Sequence, residues 1–264
     1  MAEQLGRDIQ RASGRAADNI FEDLRQGILR GDQPRGTKLP AERDLAVRYG
    51  VSGPTIREAI RGLSLLGLVD VRHGSGTYVS ADIPTIMALS LGSVIQLEQL
   101  QAPDVLQVFG LLSREAARLA AEQARPAQVA SLREAVGAIE DFDSIEQAIE
   151  RIRAFHTALA VACGNSLLGA LCNFLSDLQL NIARSVVEPS VAEWRQVISR
   201  LQPFRLSLVE AIAEGKANEA QEATRIFTGT AASMIEQFFR ERTGHSGYPD
   251  LGNLLASMTS PLPR

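Results

Sequence analysis

The sequence predicts a mainly α protein in two parts: a short N-terminal head of helices closed by one hairpin, then an all-α bundle. Three observations carry this. Between residues 39 and 79, apolar residues at helical spacing give way to a strand–turn–strand alternation. From Thr85 onward only helical periods are found, separated by Pro and Gly breakers. And 264 residues, 45% hydrophobic but only 5% aromatic, leave room for two cores built largely of Leu and Ala.

Taken in order, residues 1–14 read as a flexible, frayed end. Ala17, Ile20, Phe21, Leu24, Ile28 and Leu29 then recur as one face of an amphipathic helix that stops at Gly31. The segment GDQPRGTKLP reads as a turn-rich link. Leu39, Leu45, Tyr49, Val51, Ile56, Ile60 and Leu63 place two short helices on one apolar face, and Gly50 sits between them where a tight turn needs positive φ. Ser52 is a good N-cap for the second helix, which is expected to show Thr55, Arg57 and Arg61 on its outer side. LVDVRHGSGTYV alternates about Gly-Ser-Gly as a hairpin, so residues 15–79 read as a winged helix-turn-helix.

Residues 80–84 form a short hinge. Beyond it, helical periods cover about 85–99, 103–124, 126–140, 144–163, 166–187, 190–214 and 216–240. Pro103 and Pro126 start helices, where a missing N–H costs little. Gly164 and Gly215 end them, and Pro203 is expected to kink or split the sixth. The Gly-, Ser- and Pro-containing tail, 243–264, is expected to be disordered.

Composition narrows the function. No run approaches the roughly 18 apolar residues of a membrane span, and the start of the chain carries acids rather than the apolar segment of a signal peptide. Two cysteines, Cys163 and Cys172, are too few for a disulfide framework, which points to the reducing cytoplasm. Net charge is −4, with twelve basic and eleven acidic residues in 1–82 against fifteen and twenty in the remainder. A neutral head still binds nucleic acid if its cations are clustered. No HExxH or GxxxxGK[ST] sequence is present, nor a helical carboxylate pair beside a histidine. The chain therefore reads as no enzyme; the alternative is a helical small-molecule-binding protein or enzyme with an accessory winged domain.

Pro40-Ala41-Glu42-Arg43, Gly50-Val51-Ser52, Arg57-Glu58-Ala59, Gly67-Leu68 and His73-Gly74-x-Gly76-x-x-Val79 together resemble the DNA-binding domain of the GntR family of bacterial transcription regulators. LLSREAARLAAEQA (111–124), FHTALAVACGNSLL (155–168) and AIAEGKANEA (211–220) resemble the FCD effector domain, which places the chain with the FadR subgroup. The resemblance implies a homodimeric, ligand-responsive regulator, more often a repressor, that binds an inverted-repeat operator in double-stranded DNA, with 85–242 as its ligand-binding and dimerisation domain. It implies DNA contacts from Thr37, Lys38, Arg43, Ser52, Thr55 and Arg57, with His73 and Gly74 at the wing tip. Arg57 is the best reader of a guanine edge. Other roles stay open: Arg57 paired with a carboxylate on its own helix, His73 as a plain turn residue. The family often has Arg directly after Ser52, where this chain has Gly53.

Many FCD domains hold a divalent metal between one Asp and three His. By resemblance those positions here are Ile152, His156, Arg205 and Phe227, and Phe109 replaces a frequent Arg near the same cavity. The chain has three histidines; His73 belongs to the wing and His245 to the tail. No metal or other cofactor is therefore expected. Phe109, Ile152, His156, Arg205 and Phe227 are the candidate effector residues. Arg205 would grip an anion where the metal would stand, and an organic acid, fatty acyl compound or aromatic acid would suit the apolar remainder. The alternative is a filled pocket with Arg205 paired to an internal acid. Arg153 and Arg184 are weaker candidates.

Overall fold

The computed structural model describes residues 2–80, 83–187, 190–245, 247, 248, 251 and 254, with side chains described from 14 onward apart from 83–85, 88 and 89. The chain divides into two compact units, Met1–Leu89 and Ser90–Arg264. That division falls a few residues beyond the expected hinge, of which 81 and 82 lie outside the described residues.

In the first unit, α1 (Ala2–Leu29) packs on α3 (Gly53–Leu65), and α2 (Glu42–Tyr49) packs on α3 as well. The backbone of 2–14 is helical, where a frayed end was expected; Glu, Gln, Leu, Arg and Ala dominate there and all favour helix. Ile20, Leu24, Ile28, Leu39, Leu45, Ile56, Ile60 and Leu63 form one buried cluster, with Phe21, Tyr49 and Val51 partly buried against it. Leu29, expected on this face, is exposed. Tyr49 adds a polar tie, its hydroxyl donating to Asp23 Oδ2 on α1 at 2.5 Å. Gly50 adopts φ 64° and its N–H reaches back to the carbonyl of Val47, closing α2 and turning the chain into α3.

The hairpin pairs β1 (Val69–Arg72) with β2 (Gly76–Val79) antiparallel, Val69 opposite Val79 and Arg72 opposite Gly76. The sequence gives no sign that the link before α2 joins this wing. It does: Val79 N donates to Thr37 O, Leu39 N to Thr77 O and Gly36 N to Val79 O, each at 2.8 Å. Residues 36–39 thus lie along the free edge of β2, so Lys38 stands beside Tyr78. Ladder bonds between distant segments carry no local periodicity, and the turn-forming composition masked them.

The second unit contains α4 (Ile83–Leu97, shared across the division), α5 (Ala102–Gln123), α6 (Pro126–Gly137), α7 (Ile145–Ala162), α8 (Ser166–Val186), α9 (Val191–Ala213) and α10 (Ala217–Thr243). All seven expected helices are present within a few residues of their anticipated ends. Three starts are capped by side chains: Ser144 accepts from Gln147 N, Asn165 from Leu168 N and Ser190 from Glu193 N, at 3.1–3.2 Å. Helix α10 lies along α5 and α9, α7 along α8, and α6 along α7. Phe109, Phe155, Phe174, Leu132, Leu178, Ile182 and Ile198 are fully buried between them. Burying a side chain of this size is worth about 1.5–3 kcal/mol.

Two expectations change here. Helix α9 is not split: it runs through Pro203 to Ala213. The packing of its flanks, Leu201 and Leu208, outweighs the one hydrogen bond that proline removes. In the tail, most of which lies outside the described residues, Leu251 is buried rather than disordered.

Because Gly50 holds a left-handed backbone conformation, Gly50→Ala should destabilise the head by about 1–2 kcal/mol. Faster amide exchange across α2 and α3 would register this; unchanged exchange would contradict it.

Candidate DNA interface and effector cavity

On the head, most of the expected contact residues lie outside the core. Arg43 opens α2 with its side chain 89% exposed, 3.2 Å from its neighbour Asp44. Arg57 on α3 is 61% exposed, and its Nη1 lies 3.6 Å from Glu42 Oε2 on α2, so the partner is not on its own helix. An exposed pair this long is weak, which leaves the guanidinium available to a stronger acceptor. Thr37, Lys38, His73 and Gly74 are exposed, the last two in the hairpin loop where Gly74 takes φ 72°.

Thr55 is different. It is 3% exposed, and its hydroxyl lies 2.9 Å from Ser52 Oγ. Thr55 faces inward and reaches no base edge in this conformation, which corrects its expected place on the outer side of the helix. The same pairing changes Ser52, which occupies the N-cap position without capping the backbone. At 3.6 residues per turn Thr55 stands over Ala59 and Leu63, so it belongs to the inner face of α3. An added Cβ at Gly53 meets no atom within 4 Å, so lack of space does not account for glycine there.

In the second unit the structure brings the expected effector residues together. Ile152 and His156 on α7, Arg205 on α9 and Phe227 on α10 line one cavity of about 60 Å³. Phe109 on α5 stands edge-on to His156 with ring centroids 5.7 Å apart. Phe155 is edge-on from the other side at 5.4 Å, and Phe227 stacks at 6.1 Å. Sequence reasoning missed Gln179, Trp194 and Met234, which are among the further residues that line it; at helical spacing a cavity wall and a solid core look alike.

Arg205 is 2% exposed. Its Nη1 donates to the carbonyl of Ile198 at 3.2 Å, and its guanidinium carbon lies 5.1 Å from the Phe227 ring centroid. Its Nε is buried with no hydrogen-bond partner. Among the described residues no carboxylate pairs with it. Glu140, the acid that acts on it from a distance, is held by Ser199 Oγ at 2.5 Å. Burial pushes the guanidinium down to about 10, partly offset by Glu140. Arg153 and Arg184 are at the surface, paired with Asp177 and Glu146.

His156 is 7% exposed, and burial, helped by the Arg205 charge, pushes it down to about 3. It is a neutral imidazole at ordinary pH. The residues do not fit a divalent metal, because one imidazole stands with a guanidinium, a phenyl ring and an aliphatic chain at the four positions. Among the described residues no three of His, Cys, Asp or Glu come together elsewhere either.

The sign of the pH effect follows from His156. Unfolded, it takes a proton near 6.5; folded, not until about 3. The unfolded chain therefore gains protons first as pH falls, and stability drops. Between pH 7 and 5 the urea midpoint, read by the fluorescence of Trp194 (the sole tryptophan), should fall less in His156→Gln than in the wild type. Parallel falls would refute the buried neutral imidazole.

Comparison with known proteins agrees with this architecture. The profile described as "Bacterial regulatory proteins, gntR family" matches residues 16–79, and that of the "FCD domain" matches 104–228. The HTH-type transcriptional regulator LutR of Bacillus subtilis (strain 168) is 27% identical over 215 residues, 81% of this chain and 98% of the relative. The HTH-type transcriptional repressor NanR of Enterobacter sp. (strain 638) is 29% identical over 246 residues, 89% of this chain and 92% of the relative. Among solved structures, Streptococcus agalactiae GntR superposes with a TM-score of 0.60 at 24% identity, over 82% of this chain and 99% of that one; it supports the fold. No helix among the described residues is long and apolar enough to cross a membrane. The chain is a DNA-binding transcriptional regulator, not an enzyme, and belongs to the GntR family, with a GntR-type winged helix-turn-helix head and an FCD domain.

Proposed function

We propose that this regulator acts as a cytoplasmic homodimeric repressor whose second unit senses an organic acid without metal. The observation that carries the reading is Arg205: a guanidinium buried among apolar side chains, lining a cavity, with one donor unpaired and, among the described residues, no carboxylate partner. An uncompensated buried charge is costly. A carboxylate bound there would satisfy the unpaired donor and neutralise the charge by charge-assisted hydrogen bonds.

The rest of the lining is apolar or aromatic, with neutral His156 and Gln179 as the polar exceptions. A monoanionic head with an apolar body, an acyl or aromatic acid, fits this chemistry. The cavity is small, and Met234 is the adaptable wall residue that a longer body would displace.

On the head, Arg43, Ser52 and Arg57 would meet the major groove, His73 and Gly74 the minor groove, with Thr37 and Lys38 on phosphates. Two heads would read an inverted repeat with half-sites about one turn apart. Residues 15–79 would be the DNA-binding domain, 85–242 the ligand-binding and dimerisation domain, and 80–84 the hinge. Effector binding need shift operator affinity by only about 1–3 kcal/mol to switch the gene. Repression is favoured because NanR, among the relatives, is named a repressor.

Arg57→Ala should weaken protection of the gene's own upstream region in footprinting by roughly 5- to 150-fold, the cost of one bidentate base contact. An unchanged footprint would remove Arg57 from the interface. Titration of octanoate and benzoate against Trp194 fluorescence should show binding of at least one. Arg205→Met should weaken it roughly 10- to 100-fold; equal affinity in both proteins would defeat the proposed anion site.

A further inference from the structure

Two cations share one aromatic ring on the outer face of the wing. Thr77 and Val79 of β2 point into the head core, so Tyr78 between them points outward. Its neighbours across the two flanking segments are Lys38 and Asp70. Lys38 Nζ lies 5.7 Å from the ring centroid and the Arg72 guanidinium carbon 4.5 Å. Arg72 is further steadied by Asp70, whose Oδ2 accepts from its Nε at 2.9 Å. The ring is fixed at its far end, where the hydroxyl lies 3.0 Å from Ser75 Oγ in the hairpin loop.

Gly76 belongs to the same arrangement. It holds φ 113°, and a Cβ there would stand 2.7 Å from Lys38 Cε. The lysine stem thus crosses the wing in the space a side chain would fill. Both cations stay exposed while their orientation is restricted, and a long side chain held in place loses less rotamer freedom when it binds.

We propose that Tyr78 is a positioning residue for DNA binding: its ring holds Lys38 and Arg72 as one two-cation unit that engages the phosphate backbone beside the wing tip. Arg72 thereby joins the interface. The inference rests on the reading of the wing as a DNA contact.

The test needs no operator. Full-length protein is titrated onto a fluorescent random-sequence 30-base-pair duplex at several salt concentrations, since each phosphate contact adds about 0.9 to the slope of log K against log salt. Lys38→Ala and Arg72→Ala should each lower that slope by about one unit. Tyr78→Leu should lower it by one to two units and weaken binding several-fold at fixed salt, while Tyr78→Phe keeps the slope. In Tyr78→Leu/Lys38→Ala the lysine substitution should have little further effect.

If both alanine variants lower the slope and Tyr78→Leu does not, the platform is overturned and the wing contact stands. If neither alanine variant changes the slope while Arg57→Ala does, the wing reading fails and the platform with it. A Tyr78→Leu protein with a lowered melting temperature but the wild-type slope would make the tyrosine structural only, and that too overturns the proposal.

Discussion

Everything the head presents outward depends on what it closes inward. Leu45, Ile56 and Leu63 are wholly buried, and α1, the two helices of the turn and the hairpin all feed that one cluster. A unit of this size has little apolar area to spare, so each fully buried Leu or Ile is a large part of its stability. The cluster fixes the roll of α3, and the roll decides which residues face water. Arg57 is exposed and Thr55 hidden because Ile56, Ala59, Ile60 and Leu63 must all point one way.

The second unit tolerates one exception to the same rule. Its helices bury phenylalanine, leucine and isoleucine with a few uncharged polar residues such as Ser113, Ser176 and Thr224, but at the cavity of α7, α9 and α10 they bury a charge. There a guanidinium lies against Phe227 with a single backbone acceptor. The histidine beside it is held neutral by the burial and the positive charge that Arg205 brings. On the proposed reading, Arg205 supplies the positive charge that would hold an anion there.

The wing shows how function draws on contacts between distant segments. Lys38 precedes α2, Tyr78 lies within β2, and they meet only because residues 36–39 pair with the free edge of β2. The candidate site was therefore legible to different depths. Arg57 could be placed on the outer face of α3 from local pattern, whereas Arg43, His73 and Gly74 entered only through the family resemblance. Thr55 was misplaced because a hydroxyl residue at a helix start was taken for a surface group, although it shares the face of Ala59 and Leu63. Tyr78 was read only as part of an alternating strand, and Gln179 and Trp194 only as core positions.

The sequence by itself determined the fold class and the position of nearly every helix. Periodicity, breakers and residue counts are properties of the chain that need no third dimension. Tertiary structure alone decided that Arg205 has no acid beside it among the described residues, that α9 passes through Pro203 unbroken, and that two cations meet on one tyrosine. Each of these depends on which surfaces come together after the helices and the hairpin pack, and packing is set by shape and burial over the whole unit rather than by any local run of residues.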